Sequence, residues 1–316
     1  MSCSRQCSQI HYISPADNSP QPAIFSPADG DEARPLAVCL HTWSADLTQR
    51  YDEYIKNCEL LNWHFIFPYF RGPNWTPEAC GSPLVIADIE AAAAYVMENF
   101  NVDKSRVYLL GGSGGAHATM LMAGVKPELF TAYSAWCPIS DVKVWHDESM
   151  ARNNNYDDHI RKACGGDPRT DPDAAGEAQR RSPLTYLAAA KNNAVIDISA
   201  GIHDGHTGSV PVSHSIRAFN ILAAETDRIS EADIEYIVAT EKIPPHLQFD
   251  SVDPAFADRP VLMRRTSGKV RLTIFDSGHD MLYNAAFGFL SRQIRGAEPV
   301  WDSGSISSCQ NTGIDS

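Results

Sequence analysis

The stretch that most constrains this chain is residues 107–117, Val-Tyr-Leu-Leu-Gly-Gly-Ser-Gly-Gly-Ala-His. An apolar run of this kind reads as a strand, and the residues after the glycines read as a helix. A chain that leaves a buried strand and enters a helix within one residue passes through crowded backbone space, so the flanks of the turn cannot carry side chains. Gly111 and Gly115 bracket Ser113 as that geometry requires. The serine hydroxyl is then lifted clear of the sheet, with the N–H of Gly114 beside it. Taken alone, a Gly-Gly-Ser-Gly-Gly run reads equally well as a flexible turn. A phosphate-binding loop fits poorly, because position 117 is His and no Lys follows the glycines.

The surroundings favour the strand–turn–helix reading. Two short β-like runs, 10–13 and 23–25, predict an N-terminal hairpin over about 9–26. Residues 35–40 and 63–68 are continuous apolar runs, as expected of strands buried on both faces. Between them, apolar residues from Leu47 to Leu61 recur at helical spacing. Ser82-Pro83 opens an alanine-rich helix that continues to Phe100. Further strands are expected at 130–136, 194–200 and 270–275, and further helices at 184–190, 211–224 and 281–294. Such alternation is the signature of a mainly parallel α/β sheet with helices on both faces.

Two polar stretches interrupt that pattern, at about 141–181 and 227–262. Both are expected to be insertions over the carboxyl edge of the sheet, where open α/β sheets bind ligands. A single domain over 1–296 is therefore expected, with a loosely held Gly/Ser/Asn-rich tail at 297–316.

Composition limits the partners. The formal net charge of −13 argues against nucleic acid or an anionic membrane, both of which would repel this surface. The first twenty residues hold no secretory apolar segment, and no run approaches a membrane span, so a cytoplasmic setting is expected. The eight cysteines are scattered, and without a Cys-x-x-Cys pair they support no zinc ribbon or thioredoxin-type chemistry. The state of their thiols stays open.

A serine hydroxyl is a poor nucleophile near neutral pH, so it needs a histidine base and an acid that holds the histidine's tautomer. Strand 270–275 runs into Asp276-Ser277-Gly278-His279-Asp280, which puts His279 on a glycine-containing loop. Strand 194–200 runs into Gly201-Ile202-His203-Asp204-Gly205, which presents Asp204 in the same way. Asp197, inside its strand, and Asp276, on the histidine's own loop, are the fallback acids. His203, Asp204, His206 and His214 also admit a metal-binding reading, although their spacing matches no zinc signature.

These features resemble the α/β-hydrolases, in which serine, acid and histidine follow one another in that order. The chain is most similar to prolyl-oligopeptidase-type esterases and peptidases. Arg71-Gly72, 102–106, the elbow, Asp204 with Val210-Pro211, and Gly278-His279 carry the resemblance over roughly 36–294. It implies Ser113 as nucleophile, Asp204 as acid, His279 as base and no cofactor or metal. It also implies oxyanion donors at Gly114 and in the loop after the first buried strand. There the chain carries His41-Thr42-Trp43 instead of the common His-Gly, which leaves Thr42 and Trp43 as alternatives. Two departures stand out: a long Asp204–His279 interval, and only about thirty residues ahead of the first buried strand, too few for the propeller of true oligopeptidases.

Trp43, Trp75, Trp136 and Trp145 fall just beyond strand carboxyl ends. Together they predict a cleft with flat aromatic faces, suited to a sugar ring or an aromatic acyl group. Arg71 is a further substrate-binding candidate, through a bidentate contact with a carboxylate, unless it pairs with a neighbouring Asp. The expected activity is a serine carboxylester hydrolase acting through an acyl-enzyme on a small-molecule or saccharide ester, extending to deacylation of a carbohydrate. The alternatives are a small serine peptidase or aminopeptidase on the same residues, and a non-catalytic hydrolase-fold binding protein.

Overall fold

The computed structural model describes residues 5–302. Its centre is a nine-stranded sheet in the order β1-β2-β4-β3-β5-β6-β7-β9-β8. Strands β3 (Arg34–Leu40), β4 (His64–Pro68), β5 (Val102–Gly112), β6 (Ala132–Trp136), β7 (Ile196–Gly201) and β9 (Val270–Phe275) run parallel. The hairpin β1 (Ser8–Ile13) and β2 (Pro20–Ser26) adds antiparallel to β4, and β8 (Val261–Ser267) adds antiparallel to β9. Strands β4, β6, β7 and β9 are buried along their whole length, so their side chains are mostly apolar, while Asp197 of β7 and Arg271 of β9 are buried as a pair.

Helices cover both faces. α2 (Pro83–Asn99), α3 (Gly114–Val125) and α7 (Ser213–Leu222) close one face, and α1 (Asp52–Leu61) and α9 (Tyr283–Leu290) the other. The Ser82 hydroxyl caps α2 by accepting the N–H of Val85, and Pro83 occupies the first turn, where its missing N–H costs nothing. Among the described residues no helix is long and apolar enough to cross a membrane.

The structure adds detail at four places. Residues 141–181 are helical: α4 (Val142–Ala151), α5 (Tyr156–Cys164) and α6 (Pro172–Arg180) pack around Trp145, Ile160 and Ala174. Their outer faces carry the polarity, while Asp141 and Asp171 cap two of them from the loops. Residues 227–262 likewise contain a helix, α8 (Glu231–Thr240), which buries only Ile234 and Ile237. Strand β8 follows the second insertion as an edge strand, with Arg264, Arg265 and Thr266 on it instead of an apolar run. The start of the tail is held: Trp301 stacks on Phe289, and Gln293 accepts the N–H of Val300. The remainder of that stretch, 303–316, lies outside the described residues.

Candidate active site

The parallel strands end together, and the loops leaving β3, β5, β6, β7 and β9 converge. Ser113 sits between β5 and α3 at φ 56°, ψ −119°, a left-handed conformation that a side chain tolerates only when its surroundings enforce it. They do so here. The Ser113 N–H donates to the Trp136 carbonyl at 2.8 Å, and α3 begins at the next residue. A Cβ on Gly114 would stand 2.4 Å from the backbone nitrogen of Trp43, and one on Gly115 would stand 2.6 Å from the Leu40 carbonyl oxygen. The elbow therefore packs against the β3 loop so closely that only glycine fits.

Asp204 follows β7 by three residues and is buried, 1% exposed. One carboxylate oxygen accepts the Val210 N–H at 3.1 Å; the other lies 2.6 Å from Nδ1 of His279. A carboxylate in that position fixes the proton on Nδ1 and leaves Nε2 as the acceptor. Ser113 and His279 line one cavity of about 250 Å³, with Thr42, Trp136, Met281 and Tyr283 among its other walls. Among the described residues no hydrogen bond joins the Ser113 hydroxyl to the imidazole, a looseness common before substrate binds.

The two oxyanion alternatives separate on geometry. The Thr42 N–H is already donated to Oε1 of Gln49 at 2.8 Å, and the Thr42 hydroxyl donates to the same oxygen. The Trp43 N–H, lying against Gly114, has no acceptor among the described residues. The Gly114 N–H, at the first turn of α3, has none by the geometry of helix starts. Two backbone donors thus remain beside Ser113.

The substrate-binding candidates fare less well. Trp136 does line the cavity. Trp43 and Trp145 are buried against each other in the core under α4, ring centroids 4.7 Å apart, and Trp145 donates its indole N–H to the Ser209 carbonyl. Trp75 packs on His159 of α5. Arg71 is spent on Asp88 at 2.6 Å, Asp17 at 2.7 Å and Ser14 at 3.0 Å, so no bidentate face is left for a substrate carboxylate. Aromatic residues at strand ends serve two purposes, lining a cleft or seating a cap on the sheet, and only the position of the helical insertion decides between them.

The histidines of the metal-binding reading are dispersed among separate partners. His203 pairs with Glu241 and Asp276, His206 with the Val238 carbonyl and His214 with Glu148. The fallback acids are engaged as well, Asp276 with His203 and Asp197 with Arg271 at 2.7 Å. His117, four residues into the elbow helix sequence, is wholly buried; burial pushes its pKa down to about 4, and it bonds the Arg181 carbonyl. It holds the cap and takes no part at the cavity. Missed in the sequence were Gln49, Tyr54, Cys137, Met281 and Tyr283, all at the cavity. Cys137 follows β6 by one residue, and Met281 follows His279 by two, so proximity to strand ends was their one available signal.

Residues 84–241, which include Ser113 and Asp204, match the model of the prolyl oligopeptidase family. The chain belongs to that family. Its fold matches solved peptidase structures over nearly its whole length. Acylaminoacyl peptidase from Pyrococcus horikoshii is 13% identical with a TM-score of 0.67, covering 96% of this chain and 44% of that one. A puromycin-hydrolyzing peptidase from Mycobacterium tuberculosis is 16% identical with a TM-score of 0.61, covering 94% and 41%. At such identities the likeness speaks for the fold. An acetylxylan esterase from Coprinopsis cinerea is 42% identical over 48 residues, 15% of this chain and 13% of that protein. This prolyl oligopeptidase family chain thus spans less than half the length of those solved relatives.

Proposed function

We propose that this serine hydrolase of the prolyl oligopeptidase family cleaves carboxylic esters through an acyl-enzyme on Ser113, with acetylated carbohydrates as the favoured substrate class. The observation that carries the reading is the Asp204–His279 pair at 2.6 Å, opening onto the cavity that Ser113 shares. Ser113 attacks the ester carbonyl while Nε2 of His279 takes its proton, and Asp204 stabilises the imidazolium. The tetrahedral oxyanion is held by the N–H groups of Gly114 and Trp43. His279 then protonates the leaving alcohol and afterwards activates water to release the acid.

The cavity, about 250 Å³ with aromatic and methionine walls, suits a small acyl group. The short likeness to an acetylxylan esterase points the same way. A peptidase reading draws on Asp280, a carboxylate at the cavity that would receive a free substrate amine. The charge balance supports a neutral or sugar substrate rather than nucleic acid or membrane. All described cysteines are free thiols, which suits the reducing cytoplasm.

The test is a panel of p-nitrophenyl esters of increasing acyl length, acetylated xylose and aminoacyl-arylamides, run beside fluorophosphonate labelling. Labelling at Ser113 with turnover of acetyl esters is expected. Arylamides cleaved faster than every ester would transfer the assignment to the peptidase reading. A tightly bound ligand without labelling would point to a binding protein instead.

A further inference from the structure

We propose that Cys137, Asp204 and His279 form a binding site for one thiophilic divalent cation of the zinc–cadmium class, and that its occupancy switches the hydrolase off. The Sγ of Cys137, a carboxylate oxygen of Asp204 and a ring nitrogen of His279 lie within 4.8 Å of one another. Zinc bonds to sulfur, nitrogen and oxygen ligands run about 2.0–2.3 Å, so small side-chain movements would close the three around one ion. Three protein ligands with a fourth position left to water is the open form of a tetrahedral site. A thiolate among the ligands selects zinc or cadmium over magnesium or calcium.

The fold holds the thiol in place. Cys137 leaves β6 at φ 52°, and its N–H donates to the Ser199 carbonyl at 2.7 Å, which pins the turn between the elbow and the Asp204 loop. Its sulfur makes a long contact with the Asp280 carbonyl at 3.5 Å and lies beside the Asp204 carboxylate. Cys137 and His279 both line the cavity, which is walled by neither Lys nor Arg. A cation can therefore follow the substrate's path inward without meeting a positive side chain.

Coordination releases the thiol proton to solvent, and the cation takes the thiolate electron pair. Asp204 brings its carboxylate. If the cation binds Nε2 of His279, it takes the lone pair that would accept the Ser113 proton. If it binds Nδ1, the ring proton is forced onto Nε2, with the same result. The inhibitory half of this inference rests on the proposed role of Ser113 and His279; the binding half does not.

The experiment uses the purified full chain titrated with cadmium, read by the ultraviolet thiolate-to-cadmium charge-transfer band. Fluorophosphonate labelling of Ser113 is followed in parallel. Wild type, Cys137→Ser and Cys137→Ala are compared after each has shown cooperative thermal unfolding. A band at one equivalent is expected in wild type and in neither variant. Cadmium is expected to block labelling of wild type, with recovery on chelation, and to act about 10–100-fold more weakly on the variants. The same band in all three proteins, or labelling indifferent to cadmium once it is bound, would overturn the proposal. Absence of labelling before any cadmium is added counts against the serine-hydrolase reading alone, and the band then decides the site.

Discussion

Strands β7 and β9 carry two acid–base pairs, and the two have opposite fates. Asp197 and Arg271 face each other in register within the strands, both 1% exposed, 2.7 Å apart and under the rings of Phe289 and Trp301. Asp204 and His279 sit on the loops leaving the same two strands, 2.6 Å apart, with the acid buried and the histidine's side chain 25% exposed toward the cavity. The guanidinium cannot give up its proton in a protein, so the strand pair is a permanent ionic clasp. The imidazole holds a proton on one nitrogen and can accept a second on the other, so the loop pair can pass a proton. On the proposed function, adjacent positions in one sheet divide between holding the fold and doing chemistry, according to side-chain type and depth of burial.

The sharpest way to break this comparison is to remove the nucleophile. Ser113→Ala is expected to lower kcat by about 10⁴ to 10⁶, or about 5–8 kcal/mol of barrier, with the melting temperature unchanged. Near-full ester hydrolysis in that variant would end the assignment. Asp204→Asn keeps the shape but offers the wrong tautomer partner, and about 10⁴-fold is expected to go from kcat, in steady-state kinetics on an acetyl ester, with little loss of stability.

Asp197→Ala should behave in reverse. It removes one partner of the buried Arg271 guanidinium, which also donates to the Trp301 carbonyl, so stability should fall in urea unfolding while kcat per folded molecule is kept. A large fall in kcat with unchanged stability would mean that the strand pair, too, serves the chemistry. Gln49→Leu leaves the Thr42 N–H without its acceptor beside the oxyanion loop. About 1–3 kcal/mol of stability should go. The kcat for acetyl esters should fall about tenfold, since a loosened Trp43 N–H costs up to about 3 kcal/mol of transition-state stabilisation. An unchanged kcat would place the second donor elsewhere.

The smallest effect concerns pH. His203 bridges Glu241 at the end of α8 and Asp276 of the His279 loop, and its hydrogen bond to the Glu241 carboxylate chiefly raises its pKa. The bridge stabilises the fold fully below the ordinary histidine value of about 6.5 and is lost as pH climbs through the raised folded value. Melting temperatures measured across that window should decline more in wild type than in His203→Gln; equal slopes would remove the bridge from the pH response. Solvent screens a side chain exposed to this degree, so the shift is expected to be modest.

Much of the site could be read directly from the residues. Gly111, Gly114 and Gly115 around Ser113 declare a close backbone approach, since no other residue survives it, and apolar runs ending in Asp204 and His279 mark strand ends whatever surrounds them. These signals are local: backbone sterics and two-face burial are properties of a few consecutive residues. What Arg71, Trp43 and Trp145 do is set by residues far away in sequence, Asp88 for the first and the α4–α6 cap for the others. Which of the Thr42 and Trp43 N–H groups is left without an acceptor depends on where the Gln49 carboxamide swings, and the meeting of Cys137 with Asp204 and His279 depends on three strand ends arriving at one point. The sequence by itself determined the parallel strands, the elbow and the order of the candidate triad. Only the tertiary structure decided which polar and aromatic side chains face the cavity, because that depends on who neutralises each charge and covers each ring.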